Sequence, residues 1–161
     1  MPRTAKARWL IAVVVALCVA VGALVWWSKR VEAPYALRDT PEVRLTVRAA
    51  ASDYPQADEV AREAALLLEV YVQRLQNGDA DDLADIGAPW YTGREAAARD
   101  LISKFGAQAR HPVQAVVADP VTPGLASVEL SYGNDSSQTL DLARDDGVWW
   151  LAIGDGDPVR P

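Results

Sequence analysis

The chain has 161 residues, with 16 basic and 22 acidic side chains, one histidine, one cysteine and a formal net charge of −6. One cysteine cannot close an internal disulfide or build a cysteine-based zinc site, and this length excludes a large multidomain enzyme. The charge is divided unevenly, +5 over residues 1–30 and −11 over residues 31–161, and so acidic a main part argues against a nucleic-acid partner.

From Trp9 to Ser28 no residue is charged, and 18 of the 19 residues Trp9 to Trp27 are hydrophobic. As a helix these would span about 28 Å, close to the thickness of the hydrocarbon core of a bilayer. Trp9 at one end, Trp26 and Trp27 at the other, and the flanking Arg8, Lys29 and Arg30 suit the headgroup layers. The run is long for a cleaved signal peptide, and Pro34 follows the nearest small-residue site, Val31-Glu32-Ala33, so an uncleaved signal-anchor is expected. Basic residues nearly tie across the span. The acidic part would be repelled by an anionic inner leaflet, which places it outside. The expected organisation is a cytoplasmic tail (1–8), a single-pass transmembrane helix in contact with membrane lipid (9–28), a stalk (29–41, with Pro34 and Pro41) and an extracytoplasmic α+β domain (42–161).

Within that domain Glu42 to Arg48 alternates, with Val43, Leu45 and Val47 on one face, as in a half-buried strand at a sheet edge. Asp53 and Gln56 are spaced as a capping box for a helix carrying the apolar stripe Val60, Ala64, Leu67, Leu68, Tyr71 and Leu75, which stops at Asn77-Gly78. Asp79 caps a short second helix ending at Gly87, with Asp81 and Asp82 in its first turn. Thr92-Gly93-Arg94-Glu95 opens a third, closed by Gly106. The period then changes from 3.6 to 2, and residues 111–118, 125–132, 138–144 and 148–153 read as an antiparallel meander. The expected class is α+β, with helices packed on a curved antiparallel sheet.

This order of elements, with NGDADDLADI after the long helix (77–86) and a closing DDGVWWLAI strand (145–153), resembles the nuclear transport factor 2-like family over about residues 56–154. The resemblance implies a cone-like fold. Its members include isomerases and polyketide cyclases as well as noncatalytic binding and scaffold domains, so the fold alone selects no activity.

A cyclase or isomerase of this kind needs a general base inside the cone. By strand parity Val128, Leu130 and Tyr132 share a face, as do Leu140 and Leu142, while Ser127, Glu129, Ser131, Thr139, Asp141 and Ala143 face away. No carboxylate or imidazole falls on the inner set. His111, the lone histidine, has no partner at a telling spacing and reads as structural or surface. The acids Asp79, Asp81, Asp82 and Asp85 lack the order of a calcium loop and suit a helix start. Trp149-Trp150 must point one ring inward and one outward, and the outward ring, with Trp90, Tyr91 and His111, forms the candidate set for a partner or ligand contact.

The expectation is therefore a noncatalytic interaction or assembly module with no cofactor and no metal, working with other envelope proteins and able to form a homo-oligomer. Its architecture is similar to bitopic scaffold components of bacterial type IV secretion machines and to actinobacterial membrane-anchored accessory proteins of lipid-import complexes. The 13 arginines to 3 lysines fit a bacterium of high GC content. The alternative is a membrane-tethered small-molecule-binding or isomerase/cyclase-like enzyme that uses the cone cavity.

Overall fold

The computed structural model describes residues 33–51, 56–118, 122, 124–133 and 136–156. The membrane-length run Trp9 to Ser28 and the Asp53 cap lie outside these residues; among the described ones no helix is long and apolar enough to cross a membrane. In chain order the elements are β1 (Leu45–Ala49), α1 (Gln56–Asn77), α2 (Ala80–Ala84), α3 (Arg94–Phe105), a 3-10 turn (Gln108–Arg110), β2 (Val113–Val117), β3 (Leu125–Tyr132), β4 (Ser137–Asp145) and β5 (Val148–Leu151).

The α+β class is as expected, but the sheet is mixed rather than antiparallel. Strands follow the order β1-β2-β3-β4-β5; β2 to β5 form the meander, and β1 runs parallel to β2. The reason is the connection, since a chain that returns through helices has the length a parallel crossover needs. Helix α1 touches β1, β2 and β5, and α2 and α3 pack on α1. A flat five-stranded sheet would hold its edge strands about 19 Å apart, against a helix diameter of about 10 Å, so the sheet must curl around α1 to bring both edges to it.

The stripe Val60, Ala64, Leu67, Leu68, Tyr71 and Leu75 is buried along α1, opposite Val113, Ala115, Val117, Val128, Leu130, Tyr132, Leu140 and Leu142 of the sheet. Parity holds for Glu129, Ser131, Thr139 and Asp141, which are exposed. It fails for Ala143, which is buried on the outward face. There it stands directly opposite the large indole of Trp150 on β5.

Local signals worked unequally. Gly78 takes the left-handed φ of 75° just after α1, and the Asp79 side chain accepts from the Asp81 and Asp82 N–H groups. Helix α2 ends at Ala84, before Gly87, and residues 85–87 turn toward β5. The Thr92 capping box does not form. Gly93, at φ 67°, is the N-cap of α3 without a side-chain cap, and the Thr92 hydroxyl donates to the Asp155 carbonyl at 3.1 Å. Thr92 also exchanges two 2.9 Å main-chain hydrogen bonds with Asp155, so pairing with the C-terminal segment takes the hydroxyl that the helix would have used. Between β4 and β5, Asp146 (φ 49°) and Gly147 (φ 84°) are both left-handed, the conformation of the two-residue hairpin turn that matches strand twist.

The two sheet edges differ. On β5, the Leu151 N–H donates to the Ile86 carbonyl at 3.0 Å, the Ala88 N–H donates to the Leu151 carbonyl at 2.8 Å, and the Tyr35 hydroxyl donates to the Trp149 carbonyl at 2.6 Å. That edge is closed. On β1, the Arg44 carbonyl accepts from the Val113 N–H at 2.9 Å and the Ala50 N–H donates to the Val117 carbonyl at 2.8 Å. Even-numbered residues therefore turn their main-chain groups to β2. Leu45, Val47 and Ala49 turn theirs outward, where no described residue bonds them.

Residues 33–41, within the expected stalk, contain no helix or strand, yet they pack along the domain. Gln73 of α1 holds them: its Oε1 accepts from the Arg38 N–H at 2.8 Å, and its Nε2 donates to the carbonyls of Arg38 (2.7 Å) and Pro41 (2.9 Å). The Arg38 guanidinium pairs with Asp82 at 2.7 Å, and Asp82 also faces the buried Arg74 at 3.5 Å. Burial pushes the Tyr35 hydroxyl from 10.0 up to about 12. The folded state thus holds this proton more tightly than the unfolded one, so the stabilisation is complete below pH 10 and is lost as pH rises through 12. Urea midpoints are expected to fall across that interval, less steeply for Tyr35→Phe; parallel profiles for the two proteins would refute the assignment.

Candidate functional site

The five aromatic and imidazole candidates do not form one patch. Trp149 faces inward and is buried; its Nε1 donates to Glu63 of α1 at 3.1 Å, and the Arg144 guanidinium lies 5.5 Å from the centre of its ring. Glu63 also pairs with Arg144 at 3.0 Å, which fixes the indole between two charges. Trp150, on the other face, meets the Tyr35 ring edge-on at 6.0 Å. Trp90 and Tyr91 pair with each other at 6.2 Å, and Tyr91 is buried. His111 is exposed at the start of β2, beside Gly133 at the far end of β3. Strand β2 lies three positions from β5 in the sheet, and β5 pairs with β4 only at its Leu142–Asp145 end. His111 lies beyond the opposite end, where Val113 meets Tyr132, and so is far from the tryptophan strand.

Between α1 and the sheet, three buried polar side chains bond one another. Both the Tyr71 and the Tyr132 hydroxyls donate to Gln138 Oε1, at 2.9 and 2.8 Å, and all three residues are buried. Burial raises the pKa of both tyrosines well above the ordinary phenol value, so both stay protonated donors at neutral pH. Phe105 of α3 stacks on Tyr132 at 5.7 Å. Among the described residues, neither phenol is hydrogen-bonded to an imidazole or a carboxylate that would take its proton. Gln138→Leu strands two buried donors, at about 1–3 kcal/mol each, and is expected to lower the urea midpoint more than Gln138→Glu at low pH, where the acid keeps a carbonyl acceptor. Equal losses for the two variants would refute the bonding.

A cleft of about 560 Å³ opens at the end of the sheet, lined by Tyr91, Leu125, Ser127, Asp141, Ala152 and Gly156 among others. Ser127 donates to Asp141 Oδ1 at 2.5 Å across β3 and β4, and both side chains belong to the face away from α1. The carboxylate is solvent-exposed. His111, at the opposite end of β2 from Ala118, does not reach this cleft.

Sequence reasoning missed three groups. Gln138 is a polar residue on an inward strand position, detectable by parity alone. Tyr35 lies in a segment read as a spacer. The cluster Arg38, Arg74 and Asp82 depends on which face of α1 meets residues 33–41, for which periodicity gives no signal. The acidic run divides its work: Asp79 caps α2 and Asp82 binds the two arginines. Among the described residues no three acidic, histidine or cysteine side chains converge as for a metal ion.

No protein-family model matches the chain, and no curated protein matches it significantly. Among solved structures, a chain named as a calcium/calmodulin dependent protein kinase II association domain from Xanthomonas campestris is similar at 19% identity, over 57% of this chain and 82% of that one, with a TM-score of 0.31. No residue role is carried over from a superposition this loose.

Proposed function

We propose that the chain is a membrane-anchored interaction or assembly module with no chemistry of its own, holding an α+β domain outside the membrane within an envelope transport or secretion complex. The observation that carries this reading is the buried trio between α1 and the sheet: where a cone enzyme needs a base, the domain has Tyr71 and Tyr132 both donating to Gln138. The uncharged run Trp9 to Ser28 supplies the anchor, and the net −11 after residue 30 supplies the outward placement. The nuclear transport factor 2-like assignment rests on the order of elements together with the curl of the sheet around α1. Protease treatment of intact cells tests the placement, with digestion of the domain expected and full protection overturning it.

The cleft favours a second reading, small-molecule binding, although it lies outside the cone that the alternative requires. Complementing a gene deletion with the Ser127→Ala, Asp141→Ala double variant separates the two. The module retains full function; loss of function in a folded, correctly placed protein would establish the cleft as the working site.

A further inference from the structure

We propose that β1 is a self-pairing edge, and that two copies of this chain join their sheets through antiparallel β1 strands centred on Leu45. The proposal gives the assembly reading its first contact and rests on that reading for its biological use.

Among the described residues one sheet edge is closed and the other has no partner. Strand β5 is sealed by Ile86, Ala88 and Tyr35, whereas the outward main-chain groups of Leu45, Val47 and Ala49 bond no described residue. Natural edges are commonly blunted by proline, lysine or a bulge. From Glu42 to Ala50 the chain has neither proline nor lysine, and β1 keeps an unbroken register with β2.

The side chains on this edge then select both partner and register. Glu42, Arg44, Thr46 and Arg48 are exposed, and neither arginine forms an ion pair with a described residue. Because outward hydrogen-bonding groups belong to odd residues, a second antiparallel β1 must pair odd with odd. Centred on Leu45, the strands set Val43 opposite Val47 of the second copy as a hydrogen-bonded pair. Between such pairs they set Glu42 opposite Arg48 of the second copy, twice by symmetry, and Arg44 opposite Thr46. Directly opposed charges of unlike sign stabilise a ladder, and like charges oppose it. Sliding one hydrogen-bonded step either way places Arg44 against Arg44 or Arg44 against Arg48. Of these three registers only the central one is free of an arginine clash and gains two ion pairs; a further step that sets Glu42 against Arg44 would put Leu45 opposite Pro41, which has no N–H for the ladder. The contact is isologous, so it closes at two copies.

The test uses the full chain in detergent micelles with Cys18→Ser as background. Non-hydrogen-bonded antiparallel positions have Cα atoms about 4.5 Å apart, within disulfide reach. A mixture of Arg44→Cys and Thr46→Cys chains is expected to form disulfide dimers on mild oxidation, and neither chain alone is. In sedimentation equilibrium, Glu42→Arg or Arg48→Glu is expected to weaken dimerisation roughly ten-fold, and the double reversal to restore it. All four positions are exposed, and circular dichroism checks that the fold is kept. Cross-linking by Thr46→Cys alone, no rescue by the double reversal, or a monomer at all concentrations overturns the proposal. A monomer that still captures defined envelope proteins overturns self-pairing while leaving the assembly reading standing.

Discussion

Truncating Leu67 to alanine is expected to destabilise the domain by about 2–5 kcal/mol, while the same change at the adjacent Leu66 costs less than about 1 kcal/mol. Leu67 is fully buried between α1 and the sheet, whereas Leu66 is 38% exposed. The Leu67 variant loses both transfer energy and the contacts around the void it leaves, and the curled sheet holds that void open because α1 is gripped from both edges. Urea unfolding of the two variants measures the difference. Equal midpoints would mean that α1 does not present the face described.

Asp82→Ala is expected to cost about 3 kcal/mol, toward the lower end for breaking a buried ion pair, because Arg38, one of the two cations, is exposed. Burial already lowers the pKa of Arg74, and Asp82 is the main influence raising it. Removing the carboxylate takes away the main charge that offsets this burial and frees the Arg38 guanidinium, which leaves residues 33–41 held chiefly by Gln73. Two measurements check this. Hydrogen exchange at the Arg38 amide, bonded to Gln73 in the native protein, is expected to accelerate. Adding Arg74→Met is expected to recover part of the stability, since a buried apolar chain replaces a stranded charge; no recovery would show that the loss arises elsewhere.

The elements were legible because their periodicities are strong. The α1 stripe, the alternation from Glu42, the turn at Asp145-Asp146-Gly147 and the Asp79 cap are each local, and local signals survive folding unless something distant competes. Thr92 shows such competition: its hydroxyl suits a cap, but Asp155 lies 63 positions away in sequence and takes it. The parallel pairing of β1 was illegible for a related reason, since alternation reports a strand's faces and not its neighbour's direction. The candidate site fared worse. Trp149 and Trp150 do lie on opposite faces, yet Trp150 meets Tyr35 rather than Trp90 and Tyr91, and His111 stands at the far end of β2. Nearness between aromatic residues on different elements depends on strand order and register, which composition does not contain.

The place of β1 also sets an order of events during synthesis. Strands β2 to β5 follow one another at short intervals of sequence and pair with their neighbours, whereas Leu45 pairs with Val113 across three helices. Loops of that size close slowly compared with hairpins. Of the five strands β1 is thus the one that must wait for its partner, since three helices are added to the chain before β2 exists. Until then both sides of β1, and not only the one without a described partner in the folded domain, offer unpaired main-chain groups to another extended chain.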